Sequence, residues 1–136
     1  MKGTEREAFE KTHCVFDAYQ EVKKTYPDLC VKVIPVGLKS KVFSMELTEE
    51  IFRNTVKMHR QIKDGNEDFI VGIDLVNEED TSRNITVFSH LINQTLNEAT
   101  NLNVNLHAGE SCDPKNREIA HAIALGSKRI GHGLNL

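Results

Sequence analysis

The stretch LNVNLHAGE (102–110), followed by RIGHG (129–133), decides how this chain is expected to fold. Each stretch starts as an apolar, strand-like run and finishes in polar side chains: His107 and Glu110 in the first, His132 in the second. A helical segment separates the two, so we expect neighbouring parallel strands with both histidines at the same end. In parallel α/β sheets the loops at that end converge on one opening, where sites are built. Imidazole is a good zinc ligand and a glutamate can transfer protons, so the sequence predicts a metal site here.

The rest of the chain alternates between helical and strand-like segments. Apolar residues repeat at helical spacing over 5–26, 47–62 and 85–99, and short apolar runs at 31–38, 69–76, 103–108 and 129–132 indicate strands. Asp113-Pro114 fits a helix N-cap followed by proline, and Gly126 fits the residue just past the end of the same helix. This alternation is typical of βα units, and it predicts one domain over residues 1–136 whose parallel sheet is covered on both faces.

Four βα units with parallel strands make half of a TIM (β/α)8 barrel, which typically needs about 250 residues. An open, flavodoxin-like sheet of four strands is the competing architecture. Two observations favour the partial barrel. Polar groups stand at the carboxyl ends of three strands (Asp74, His107 and His132), and the glycine-rich phosphate loop of a nucleotide-binding Rossmann unit is missing.

Composition excludes several other classes of function. The formal net charge is -3 and the basic residues are scattered, so we expect no nucleic acid as partner and no polybasic membrane patch. Apolar runs fall far short of a membrane span, and residues 1–7 lack the apolar core of a signal peptide. Three cysteines without C-x-x-C spacing predict free thiols, with neither a disulfide framework nor a zinc knuckle.

Three runs of the sequence point to a known family: GIDLV (72–76) with Glu79-Asp80, HAGE (107–110) and LGSKRIGHG (125–133). In these runs the chain resembles the adenosine deaminase family, and within it most resembles the adenosine deaminase-related growth factors. The resemblance covers nearly the whole chain, and it is specific because the two histidine motifs occur together. It implies hydrolytic deamination of adenosine, a purine nucleoside, to inosine and ammonia by a zinc-dependent enzyme of purine nucleoside metabolism.

The resemblance also implies a role for each motif residue. His107 would be a zinc ligand, and Zn2+ lowers the pKa of a bound water so that hydroxide is available near neutral pH. Glu110 would give a proton to N1 of the purine as hydroxide attacks C6. His132 would orient the attacking water and stabilise its developing charge. Asp74 would be an acidic residue of the barrel interior whose carboxylate supports these groups.

Two further positions would contact the substrate. Gly109, like Gly131, would leave room for a close approach of backbone and ligand. Asn77 stands where the family has a glycine whose backbone amide meets the purine; asparagine tolerates positive φ, so the contact can persist. In the growth-factor branch a histidine stands near the position of Leu38, and leucine cannot supply its hydrogen bond.

Part of the family's zinc site is missing from these 136 residues. The family takes two more histidines from a His-x-His on the first strand and an aspartate from the last strand. We therefore expect the chain to be the central part of the barrel, inactive alone, with flanking coding sequence supplying the other ligands. The alternative is a non-catalytic, truncated deaminase-like protein that acts only as a binding or assembly fragment. The resemblance is compatible with a homodimer of the full-length protein, and with an extracellular location in the growth-factor branch or a cytoplasmic one otherwise.

Overall fold

The computed structural model describes residues 3–64 and 68–135. Within these residues the chain forms four α-helices, one short 3-10 helix and four strands. The helices are α1 (Gly3–Thr25), α2 (Met45–Asp64), α3 (Ser89–Glu98) and α4 (Glu118–Ala124), and the 3-10 helix is Ile85–Phe88. The strands are β1 (Val36–Leu38), β2 (Gly72–Val76), β3 (Asn103–Ala108) and β4 (Arg129–His132).

The strands form one parallel sheet in the order β1-β2-β3-β4, so each strand lies beside its neighbour in the sequence. A flavodoxin-like sheet would place β2 at an edge and β1 between β2 and β3. The observed order is instead that of successive strands of a (β/α)8 barrel. The predicted fold class, an α/β fold consistent with a partial TIM barrel, is confirmed.

The first strand is shorter than the predicted run 31–38. Only Val36–Leu38 pairs regularly with β2, and an isolated bridge joins Val33 to Ile70 upstream of it. Pro35 lies between the two paired regions and has no amide proton to donate, which explains the interruption. Pro35 still accepts a hydrogen bond from the amide of Asp74 through its carbonyl, at 3.1 Å.

The core lies on one side of β3. Along this strand Val104, Leu106 and Ala108 are buried, whereas Asn105 and His107 on the other face are only partly buried. The prediction of a sheet covered on both faces is therefore wrong for β3, although the first four residues of β2 are all buried. The polar face of β3 is the one on which a site can be built.

The start of α4 differs from the prediction. The helix begins at Glu118, and the cap position is Arg117, which makes no side-chain capping hydrogen bond. Asp113 instead accepts a hydrogen bond from the amide of Lys115 at 2.9 Å, which forms a local turn before the helix. The predicted end is confirmed, since Gly126 follows the helix with a φ of 79°.

The three cysteines are free thiols, as predicted, and all three are exposed. His59 on α2 is a histidine that the sequence pattern did not place in the core. Its side chain is buried, and its Nδ1 lies 3.0 Å from the carbonyl oxygen of Ile70, so it joins α2 to the segment before β2.

In the described part of the chain, no helix combines the length and apolar character needed to cross a membrane.

Candidate functional site at the carboxyl ends of the strands

Two of the predicted residues lie at neighbouring strand ends. In the register of β3 and β4, His107 is opposite Gly131 and Ala108 is opposite His132. The two imidazole rings are 5.3 Å apart between centroids and inclined at 68°, so they meet edge to face. The structure therefore brings His107 and His132 together from adjacent strands.

Gly131 makes room for the His107 ring. A Cβ atom at position 131 would lie 2.7 Å from Cδ2 and 2.9 Å from Nε2 of that ring. Such distances are too short for non-bonded carbon and nitrogen atoms, so any side chain at this position would displace the imidazole. The His107 ring therefore fills the space that a side chain at position 131 would need.

Asp74 lies beside the inner nitrogen of His107. Its Oδ2 is 2.8 Å from Nδ1 of the ring, while its Oδ1 accepts the amide proton of Leu75 at 2.7 Å. The angles at the 2.8 Å contact are not those of a hydrogen bond, and Nδ1 is buried without an aligned partner among the described residues. We interpret the pair as a close electrostatic contact between the carboxylate and the nitrogen of the ring. A carboxylate here favours the ring tautomer that carries its proton on Nδ1.

Glu110 extends from the loop that follows β3. Its carboxylate Oε2 is 3.9 Å from Nε2 of His132, and each of the two side chains is more than a third exposed. The preceding Gly109 has a φ of 77°, and a Cβ there would lie 2.4 Å from the Ile119 side chain. Glycine is therefore required at 109 by both backbone conformation and packing.

The segment after β4 continues to pair with the loop after β3. Gly133 donates to the carbonyl of Ala108 at 2.9 Å, and Leu134 donates to that of Gly109 at 2.8 Å. His132, at the junction, has a φ of 68°, which is sparsely populated for residues other than glycine. Such a backbone persists only where neighbouring contacts hold it, and these two hydrogen bonds lie directly beyond it.

Asn77 follows the last residue of β2 and has a φ of 136°, a positive value of the kind that asparagine was expected to tolerate there. Its side-chain amide donates to the hydroxyl of Ser82 at 2.8 Å. Leu38, the other position singled out for substrate, is half-buried at the end of β1. Its amide and carbonyl both bond to the Thr48 hydroxyl, at 3.0 and 2.8 Å.

Sequence reasoning missed a buried ion pair behind the site. Lys39 and Glu118 lie 3.2 Å apart, with side chains 1% and 5% exposed. The Lys39 ammonium also donates to the carbonyl of His107 at 3.2 Å, and Glu118 accepts from the amide of Ile85 at 2.9 Å. In a sequence, a lone lysine after a short strand and a glutamate at a helix start resemble surface charges, so no signal distinguished them.

A cavity of about 90 Å³ opens on the polar face of the sheet. Its lining is Ile34, Asp74, Asn105, Leu106, His107, Arg129 and Gly131. A larger hollow of about 400 Å³ lies between α2 and α3, and the side chains around it include Arg53, His90 and Glu98. None of the polar strand-end residues lines that larger hollow, whereas Asp74 and His107 line the smaller cavity; Glu110 and His132 lie outside the lining of both.

The described residues supply part of a metal site. They contain no group of three or more His, Cys, Asp or Glu side chains placed to hold an ion. His107 nevertheless has the surroundings of a zinc ligand, because a carboxylate lies against one ring nitrogen and the ring is 37% exposed on the side of the cavity. The donor set is thus compatible with one histidine ligand contributed by this chain.

Comparisons with known proteins point the same way as these motifs. The chain is 26% identical to an adenosine deaminase from Aedes albopictus over 98% of its own length, and 31% identical to an adenosine deaminase from Lutzomyia longipalpis over 87%. It spans 24% and 22% of those two relatives, which is about a quarter of their length. No family model matches the chain. The similarity supports the adenosine deaminase family and does not extend to any one branch of it.

Proposed function

We propose that the chain is the central part of an adenosine deaminase-type barrel and that the longer protein hydrolyses adenosine to inosine and ammonia. The observation that supports this most is the convergence of His107, His132 and Glu110 from two adjacent strands. The similarity to two proteins named adenosine deaminase supports the same reaction class. The growth-factor branch stays part of the proposal, on the motifs quoted above.

His107 is the residue of this chain that would hold zinc. Asp74 next to Nδ1 keeps the proton there, which leaves the lone pair of Nε2 available to a metal. Bound zinc would lower the pKa of a water molecule and so supply hydroxide near neutral pH. The remaining ligands would come from parts of the barrel outside this sequence.

Glu110 and His132 would do the proton chemistry. The Glu110 carboxyl is exposed at the mouth of the strands, where it can reach a ring nitrogen of a bound purine and give it a proton. His132 is close to both Glu110 and His107, and its ring would orient the attacking water and stabilise the charge that develops on it. Each role depends on the closeness of these side chains to one another.

A substrate contact is proposed at Asn77, whereas Gly109, expected from the sequence to contact the substrate as well, acts through the shape of its loop. Asn77 has a positive φ, a backbone conformation more usual for glycine, and we propose that its amide is presented to the purine. Gly109 is buried, and its amide and carbonyl are both bonded within the protein, to Glu79 and Leu134. Its contribution is therefore the shape of the loop before Glu110.

Expression of the complete coding sequence that contains residues 1–136 tests this proposal. The product is incubated with adenosine, and inosine and ammonia are measured with and without a strong zinc chelator. We expect turnover that the chelator abolishes and that added zinc restores. Cytidine serves as the control substrate, since its ring lacks the purine imidazole. A product that binds no zinc and leaves adenosine unchanged would favour the alternative of a binding or assembly fragment.

A further inference from the structure

Glu79 lies in the turn after β2, and its carboxylate reaches the loop after β3. Oε1 accepts the amide proton of Gly109 at 3.0 Å, and Oε2 accepts that of Ser111 at 2.6 Å. The side chain is buried, with only 8% of the residue exposed. The two amides that it binds belong to the residues on either side of Glu110.

We propose that Glu79 is a positioning residue for Glu110, an inference that rests on the function proposed above. A carboxylate that accepts one amide proton before and one after a residue restricts the backbone torsions between them. Because each bond is charge-assisted, it is stronger than a bond between neutral groups. The backbone at Glu110 is thereby held, while its side chain stays exposed near His132.

Other contacts hold the same loop without touching Glu110. The Ser111 hydroxyl donates to the Asp80 carboxylate, and the Asn135 side chain donates to the Ser111 carbonyl at 3.1 Å. These bonds fix the loop at Ser111, whereas Glu79 is bonded on both sides of the glutamate. Removal of the Glu79 carboxylate should therefore free the Glu110 backbone more than it frees the rest of the sheet.

The pair of bonds also determines which groups can act on a substrate. The amides of Gly109 and Ser111 donate to Glu79, so they are not free to stabilise a developing oxyanion. Charge stabilisation at this strand end is thereby left to side chains such as Glu110 and His132. Glu79 joins positions 30 and 32 residues away in sequence, which couples the end of β2 to the end of β3.

The test uses Glu79→Gln in the 136-residue chain, with Glu78→Gln as a matched control. Glutamine keeps the volume but turns an NH2 group toward one of the two amides, so that amide loses its acceptor. Glu78 is exposed, and its carboxylate accepts a hydrogen bond from the Thr81 hydroxyl. Glu78→Gln therefore removes the same negative charge as Glu79→Gln but leaves the bonds to the loop after β3 intact. Amide hydrogen exchange is followed residue by residue by NMR spectroscopy.

We expect exchange at Gly109 or Ser111 to accelerate by about tenfold or more in Glu79→Gln, with little change in β2 and β3. Glu78→Gln should behave as the wild type. The His132 ring resonances should also move toward their positions in Glu110→Gln, because the loosened loop no longer keeps the carboxylate beside that ring. A uniform acceleration over the whole sheet, or unmoved His132 resonances, would overturn the inference.

Two further measurements keep the test decisive if Glu79→Gln does not fold. In the wild type, the amides of Gly109 and Ser111 should exchange more slowly than that of Arg117 in the neighbouring exposed loop; equal rates would contradict the inference. Glu79→Asp retains the charge but shortens the side chain, so it should lose one bond and accelerate exchange at one amide. None of these readouts requires deaminase activity, so failure of the proposed function leaves them interpretable.

Discussion

His107 and Gly131 are opposite one another on β3 and β4, and the imidazole lies where a side chain of residue 131 would be. The His107 ring can take this position only because residue 131, on the next strand, has no side chain. This relationship ties the two histidine motifs together sterically, because a change in the second motif moves the functional group of the first.

Gly131→Ala should displace the His107 ring and destabilise the chain by about 1–3 kcal/mol, the usual effect of overfilling a packed position. Chemical denaturation measures the loss, and the NMR shifts of the His107 ring report its displacement. Gly126→Ala is the control, because a Cβ at Gly126 meets no atom within 4 Å and only the backbone conformation is penalised. Unchanged His107 shifts in Gly131→Ala would contradict the steric account.

Asp74→Asn should change the tautomer of His107. The Leu75 amide needs an oxygen as acceptor, so the asparagine oxygen should remain there and its NH2 group should turn toward Nδ1 of the ring. A donor at that point favours the tautomer with the proton on Nε2, whereas the carboxylate favours a proton on Nδ1. Long-range 1H–15N NMR correlations distinguish the two. Asp113→Asn, in an exposed turn, should leave the tautomer unchanged, and an unchanged tautomer in Asp74→Asn would contradict this account.

Lys39→Met should lower the free energy of unfolding by about 3–5 kcal/mol, since it leaves the Glu118 charge buried without its partner. The double change Lys39→Met with Glu118→Gln should recover part of this loss, because glutamine is neutral and still offers an oxygen to the Ile85 amide. Urea denaturation of both variants measures the difference. The exposed pair Arg60–Glu98 is the control, and Arg60→Met should cost about 1 kcal/mol or less. Equal costs at the two pairs would show that burial is not decisive.

Asn77→Gly should leave the chain more stable than Asn77→Ala, although glycine usually lowers stability relative to alanine. Both variants lose the hydrogen bond to Ser82, but only glycine adopts a φ of 136° without strain. We expect a difference of about 1–3 kcal/mol in favour of glycine. At Asn105, in the middle of β3, the order should be reversed. The measurement is the thermal unfolding temperature of the four variants. A higher temperature for Asn77→Ala than for Asn77→Gly would refute the argument.

The sequence predicts the sheet well where local pattern and tertiary contact agree. Strands β3 and β4 have the predicted bounds, and Pro35 interrupts β1 for the reason that its missing amide proton suggests. The helix start at Asp113 was wrong because the same side chain can also stabilise a turn, and local sequence does not decide between the two.

The candidate site was predictable only in part. His107, Glu110 and His132 follow strands in the sequence, so their meeting could be inferred from topology. Glu79 and Lys39 could not be placed, since their partners lie 30 or more residues away and become visible only once the chain is folded. Long-range polar contacts leave no periodic pattern in a sequence, unlike the faces of helices and strands.

The acid–base role of Glu110 tests the central claim most directly. Glu110→Gln is made in the protein translated from the complete coding sequence, with Glu78→Gln as control, and adenosine turnover and zinc content are measured on the same samples. We expect the rate with Glu110→Gln to fall by about 10²–10⁴ while zinc content stays that of the wild type, and the control to keep both. Undiminished turnover, or loss of zinc with turnover, would contradict proton transfer by this carboxyl group.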